Sequence, residues 1–166
     1  MRFLSENDSN FVRDRFEKEL VEDVTVTLFT QPDLKGLIVP GRDCETCQPT
    51  EQLLREVSDL SERVILQTVN HREDREASEL ANVERIPTIL ISKGEESNVR
   101  YLGIPAGTEF PVLLEAIVNV SSGAPNLNEE TLEFLKDLEN ELTLKYLLLL
   151  IDHIARSLPV WHIRWQ

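Results

Sequence analysis

The sequence predicts an α/β fold: a central mixed four-stranded sheet flanked by helices, with an extra helix at the N-terminus and an incomplete second unit at the C-terminus. Three observations predict it. β-Branched runs alternate with amphipathic segments through most of the chain. The order closes on strand–strand–helix, so a terminal hairpin joins strands reached by right-handed crossovers. The 166 residues, 41% hydrophobic and 28% charged, suffice for one core and are ordinary for a folded globular chain.

Each element follows from its own pattern. "FVRDRFEKELV" sets Phe11, Val12, Phe16, Leu20 and Val21 on one helical stripe. "VTVTLFT", Val24 to Thr30, alternates and is β-branched, so it is the first strand. "QPDLKGLIVPGRD" carries two Pro and two Gly and reads as a loop. Leu53, Leu54, Val57 and Leu60 then mark a helix whose start lies at or near Cys44 and Cys47. "VILQTVN" is the second strand, and "REDREASELANV" a short charged helix ending near Asn82. "IPTILISKG" and "VRYLGI" are strands joined by a turn at Gly94, followed by a helix that packs Phe110, Leu113, Leu114 and Ile117.

The small, turn-forming residues 121–126 read as a linker after a domain spanning 1–120. Beyond it lies a weak repeat, in which Phe16, Leu20 and Thr25 find counterparts in Phe134, Leu138 and Thr143. A helix-then-strand opening therefore occurs twice, and residues 127–166 are read as the truncated start of a second unit.

A formal charge of −13 leaves no basic footprint for a phosphate backbone, which argues against a nucleic-acid partner. "MRFLSENDSN" lacks a signal-peptide apolar core, and "YLLLLI" falls far short of the ~20 residues of a membrane helix. The expectation is a cytoplasmic protein without a membrane partner. In that compartment thiols are mostly reduced, so a close cysteine pair points to catalysis or metal binding.

The chain's two cysteines form one Cys-x-x-Cys, Cys44-Glu45-Thr46-Cys47. Disulfide exchange requires a thiolate, and a helix N-terminus favours the anion through unpaired N–H groups and the macrodipole. Cys44 is expected there as the nucleophile, with Cys47 one turn on as the resolving thiol. Glu45 and Thr46, the motif interior, tune the pair; the carboxylate beside Cys44 makes it less acidic and more reducing, partly opposed by Arg42. Two rivals stand beside this. Zinc would need two more ligands, and His71, His153 and His162 lack the spacing to supply them. Inert small apolar cysteines are the other reading. No metal and no bound cofactor are expected beyond the redox-active disulfide itself.

"Val-x-x-Ile-Pro-Thr", Val83 to Thr88, closely resembles the segment of thioredoxin-fold proteins in which a cis-proline faces the Cys-x-x-Cys. "VRYLGIPAGTEFPVLLEAIVNVS" resembles the last strand and helix of the N-terminal unit of archaeal-type protein disulfide oxidoreductases, glutaredoxin-like proteins of two tandem units. The resemblance covers about Phe11 to Val120. It implies a thioredoxin fold, dithiol–disulfide exchange, Cys44 and Cys47 as the active pair, and a cis Pro87. Such a bond sets the Ile86 backbone beside the cysteines, where it can pair with an extended substrate strand.

Two features depart from that family. "QPDLKGLIVPG" is longer than its strand-to-cysteine loop. The second unit also lacks its own Cys-x-x-Cys, and the tail from about residue 147 reads either as a frame-shift product or as a native helix through "LKYLLLLIDHIARSL", with Trp161 and Trp165 packed on the domain. The function expected is a protein dithiol–disulfide oxidoreductase acting on disulfide-containing proteins, reduced in turn by a thioredoxin-reductase-like or glutathione donor. The competing class is a binding module that holds clients or a partner at the strand edge of Ile86 and Pro87.

Overall fold

Seven-residue strands, a six-residue strand and short amphipathic helices succeed one another in the order expected from the sequence. The computed structural model describes residues 2–32, 44–94, 96–123, 127–136, 142–147 and 160–165. Helix α1 is Glu6–Glu19, strand β1 Val24–Thr30, α2 Cys47–Ser58 and β2 Val64–Asn70. They are followed by α3 (Arg75–Leu80), β3 (Thr88–Lys93), β4 (Glu96–Leu102) and, after a 3-10 turn at Gly107–Glu109, α4 (Phe110–Ser122). Helix α5 (Glu129–Lys136), β5 (Leu142–Leu147) and β6 (Val160–Trp165) complete the described elements.

The sheet has the order β2-β1-β3-β4-β6-β5. β1 and β2 are parallel, pairing Val24 with Val64 and Thr30 with Asn70, while β3 runs antiparallel to both β1 and β4. This is the mixed four-stranded sheet expected, with a difference at its margin. β6 pairs antiparallel with the outer edge of β4, at Val99 and Arg100, and β5 pairs with β6. An edge strand offers a row of unpaired N–H and C=O groups, and β6 pairs with part of that row, at Val99 and Arg100. Residues 142–147 are thus strand, as "LTLKYL" suggested, and not the start of a C-terminal helix.

One buried cluster gathers Val12 and Phe16 of α1, Leu53, Leu54 and Val57 of α2, and Leu113, Leu114 and Ile117 of α4 on Val24, Val26, Leu28, Ile89 and Ile91 of the sheet. The alternation of β1 and β3 turns Phe29 and Leu90 to the opposite face, where they meet Val83 in a smaller cluster with Ala77 of α3 and its C-cap Ala81. Three helices therefore cover one face, and the short α3 covers part of the other.

Helix α1 differs from its sequence reading. It begins at Glu6, because the Ser5 hydroxyl accepts from the Asp8 N–H while the Asp8 carboxylate accepts from the Ser5 N–H, a reciprocal cap that satisfies two otherwise orphaned donors. Phe11 and Val21, placed on the buried stripe by spacing, are 64% and 60% exposed. The face that packs is the one carrying Val12 and Phe16, and Arg15 beside it pairs with Glu19 at 2.9 Å and with Glu115 of α4. Helix α4 runs to Ser122, into the segment expected as a linker, and ends where Gly123 adopts φ +66° as a left-handed cap. The rest of that segment, residues 124–126, lies outside the described residues, as do residues 33–43 with Arg42 and residues 148–159 of the tail.

Candidate functional site

Strand register fixes where the active end of the sheet lies. Phe29, near the carboxyl end of β1, is paired with Thr88, the first residue of β3, and Thr88 is paired with Leu102 at the end of β4. Gly103 then donates its N–H to the Pro87 carbonyl at 3.0 Å, and His71 donates its N–H to the Thr30 carbonyl at 2.9 Å. The exits of β1, β2 and β4 and the entry of β3 thus share one end.

Helix α2 returns from that end. Its last turn leads through Leu60 to Val64, paired with the first residue of β1, so its C-terminus lies at the opposite end. Its 12 residues span about 18 Å, nearly the length of the strands it covers, and Cys47 is carried back to the end where β1 finishes. There Cys44 and Cys47 form a disulfide, with 5.4 Å between their Cα atoms.

Helix α2 begins at Cys47 and not at Cys44. The residues 44–46 form a turn in front of it, in which the Cys47 N–H donates to the Cys44 carbonyl at 3.3 Å. Thr46 is the N-cap, and its carbonyl accepts both the N–H and the hydroxyl of Thr50. Pro49 falls in the first turn, where its missing N–H has no helical partner to lose. Cys44 therefore sits in the turn three residues ahead of the helix, and Cys47 is the first helical residue. Cys47 is 1% exposed and Cys44 half-buried, while Glu45 is exposed.

The Ile86–Pro87 peptide bond is cis, Pro87 is buried, and Ile86 is half-buried. Ile86 also lines an open groove of about 510 Å³ together with His71, Arg75, Ser78, Val83 and Glu84. The structure therefore brings the disulfide and Ile86–Pro87 to one end of the sheet, joined there by the turn 103–109. Among the described residues, no group of three or more His, Cys, Asp or Glu side chains is placed to hold a metal, and no helix is long and apolar enough to cross a membrane.

Glu109 was not legible in the sequence, where an acid ahead of "FPVLLEAIV" looks like an exposed N-terminal helix residue. It is 3% exposed, and its Oε1 has no hydrogen-bond partner. Burial raises its carboxyl above the ordinary pKa. The sign follows: the neutral acid is tolerated below the ordinary carboxylate range, and stability is lost as pH rises towards the raised folded value. Glu109→Gln is expected to raise Tm relative to wild type by about 2–4 °C more at pH 7 than at pH 4. Thermal melts at both pH values check this, and an equal offset at the two would refute it.

No family model matches the chain. The F component of alkyl hydroperoxide reductase in Staphylococcus aureus is 32% identical over 96 residues, covering 57% of this chain and 17% of that protein. The chain thus aligns with about a sixth of the length of such curated relatives. Among solved structures, the alkylhydroperoxide reductase component AhpF of Enterococcus faecalis superposes with a TM-score of 0.70 at 19% identity, covering 84% of this chain and 63% of that one. A protein disulfide oxidoreductase from Aeropyrum pernix superposes with a TM-score of 0.67 at 28% identity, covering 81% and 55%. The chain has a thioredoxin-like fold.

Proposed function

We propose that this chain is a protein dithiol–disulfide oxidoreductase working through Cys44 and Cys47. The observation that carries the reading is the disulfide itself: a Cys-x-x-Cys closed at the start of a helix, with one residue half-buried and the other enclosed. In the reducing direction, the Cys44 thiolate attacks one sulfur of a client disulfide, and the departing client thiolate takes a proton. Cys47, deprotonated, then attacks the Cys44 sulfur of the mixed disulfide and frees the second client thiol. Two electrons pass to the client, and the Cys44–Cys47 bond is left. An outside donor, either a thioredoxin-reductase-like dithiol or two molecules of glutathione that leave as their disulfide, supplies two electrons and restores the dithiol.

Cys44 is the nucleophile because it precedes the helix and is the more accessible of the two. Cys47 is the resolving thiol, since burial allows it to reach only its neighbour. The backbone of Ile86, beside Pro87, offers an edge to an extended client segment. The resemblance of "VRYLGIPAGTEF" to the archaeal-type oxidoreductases extends this reading to that subgroup.

A second reading draws on the alignment with the F component of alkyl hydroperoxide reductase. Here the same pair relays electrons within a larger reductase system. Both readings require exchange at Cys44; a pure client-binding module does not. Insulin reduction with dithiothreitol as donor separates exchange from binding alone: the wild-type chain accelerates it, and Cys44→Ser falls to the uncatalysed background. Turnover that survives the substitution would remove the assignment.

A further inference from the structure

Helix α3, with six residues, is too short to be stable on its own, yet the segment leaving it leads directly to Ile86 and Pro87. Beyond the capping bonds from the Asn82 N–H to the Glu79 carbonyl and from the Val83 N–H to the Ser78 carbonyl, two side-chain contacts hold that segment. Val83 is buried with Phe29 and Leu90 in the smaller cluster, against which Ile86 packs. The second is Arg100 of β4, the cross-strand partner of Leu90 and so on the same face of the sheet. Its Nη1 donates to the Asn82 carbonyl at 2.8 Å, and its Nη2 donates to the Ala81 carbonyl.

These carbonyls lie at the end of α3, where Ala81 is the C-cap and Asn82 takes φ +49°. Carbonyls at a helix end lack intrahelical donors, and Asn is among the few residues that adopt the left-handed conformation there. A planar cationic fork spanning two consecutive carbonyls supplies a donor to each. From there, three residues lead to Ile86.

We propose that Arg100 is a positioning residue for client binding: its guanidinium fixes the 81–86 segment so that the Ile86 backbone and the adjoining groove are preset for an extended client strand. The proposal rests on the exchange reading above and adds a residue that touches neither sulfur. Without the clamp, the client must order the segment as it binds, which weakens binding while leaving the chemistry at Cys44 unaltered. The signature is a raised KM at constant kcat.

The test uses the full chain with Arg100→Gln and Arg100→Lys, assayed on insulin and on the small aromatic disulfide 5,5′-dithiobis(2-nitrobenzoate), which has no strand to pair. Arg100→Gln is expected to raise KM for insulin about tenfold, the equivalent of one lost charge-assisted contact, with kcat within about twofold. The small disulfide should react at the wild-type rate, and Arg100→Lys should lie between. An unchanged insulin KM would overturn the proposal, and so would an equal loss on both substrates. Amide exchange at Val83 to Ile86 provides a readout independent of turnover: faster in Arg100→Gln supports the clamp, unchanged overturns it. A wild-type chain that reduces neither substrate would instead refute the exchange reading.

Discussion

Cys47→Ser is expected to stop the protein halfway, accumulating a covalent adduct with its client. The first step needs only the Cys44 thiolate and a client disulfide. The second needs a thiol close enough to displace the client, and in the structure that thiol is the one already bonded to Cys44. Cys47 is enclosed by the helix and sheet around it, so water and outside thiols reach Cys44 far more readily than Cys47. With serine in its place, the mixed disulfide has no internal attacker, and its lifetime is set by excess donor in solution. On a non-reducing gel, Cys47→Ser incubated with insulin should give a band of the combined mass that dithiothreitol removes. The double variant lacking Cys44 as well should give none. An adduct of equal yield from the chain lacking only Cys44 would mean that the roles are reversed.

The second large effect is structural. Phe16→Ala should destabilise the chain by about 3–5 kcal/mol, whereas Phe11→Ala should alter it by less than about 0.5 kcal/mol. Both side chains belong to α1, and both lie on the stripe that spacing alone assigns to the interior. Phe16 is 1% exposed, in the cluster shared by α1, α2, α4 and the sheet, and its truncation leaves a cavity the fixed neighbours cannot fill. Phe11 stands in solvent and leaves nothing behind. Denaturant unfolding of the two variants measures the contrast. Equal losses would mean that α1 packs through a wider face than the one found.

Much of the fold was readable because its periods are clean. "VTVTLFT" and "VILQTVN" begin and end as strands at the residues their alternation marks, Val24–Thr30 and Val64–Asn70. Gly94 marks the hairpin, with φ +72°, a region glycine enters without strain. The cysteine pair was equally plain as the chain's only two cysteines, and Pro87 was legible through the resemblance of Val83 to Thr88 to the thioredoxin-fold segment. The boundaries of α1 were not, because "SENDSN" is polar throughout and its signal is a cap rather than a period.

The sequence by itself determined the order of strands and helices, the placing of Cys44 and Cys47 three residues apart at or near a helix start, and the presence of proline at the entry of the third strand. These are local matters, set by side-chain period and by spacing within a few residues. Only the tertiary structure decided which half of a stripe is buried, that Glu109 is enclosed, that β6 closes the edge of β4, and that Arg100 reaches the end of α3. Each of those joins residues distant along the chain, and the free energy of burial and of a satisfied carbonyl depends on what the fold brings opposite, which no single segment encodes.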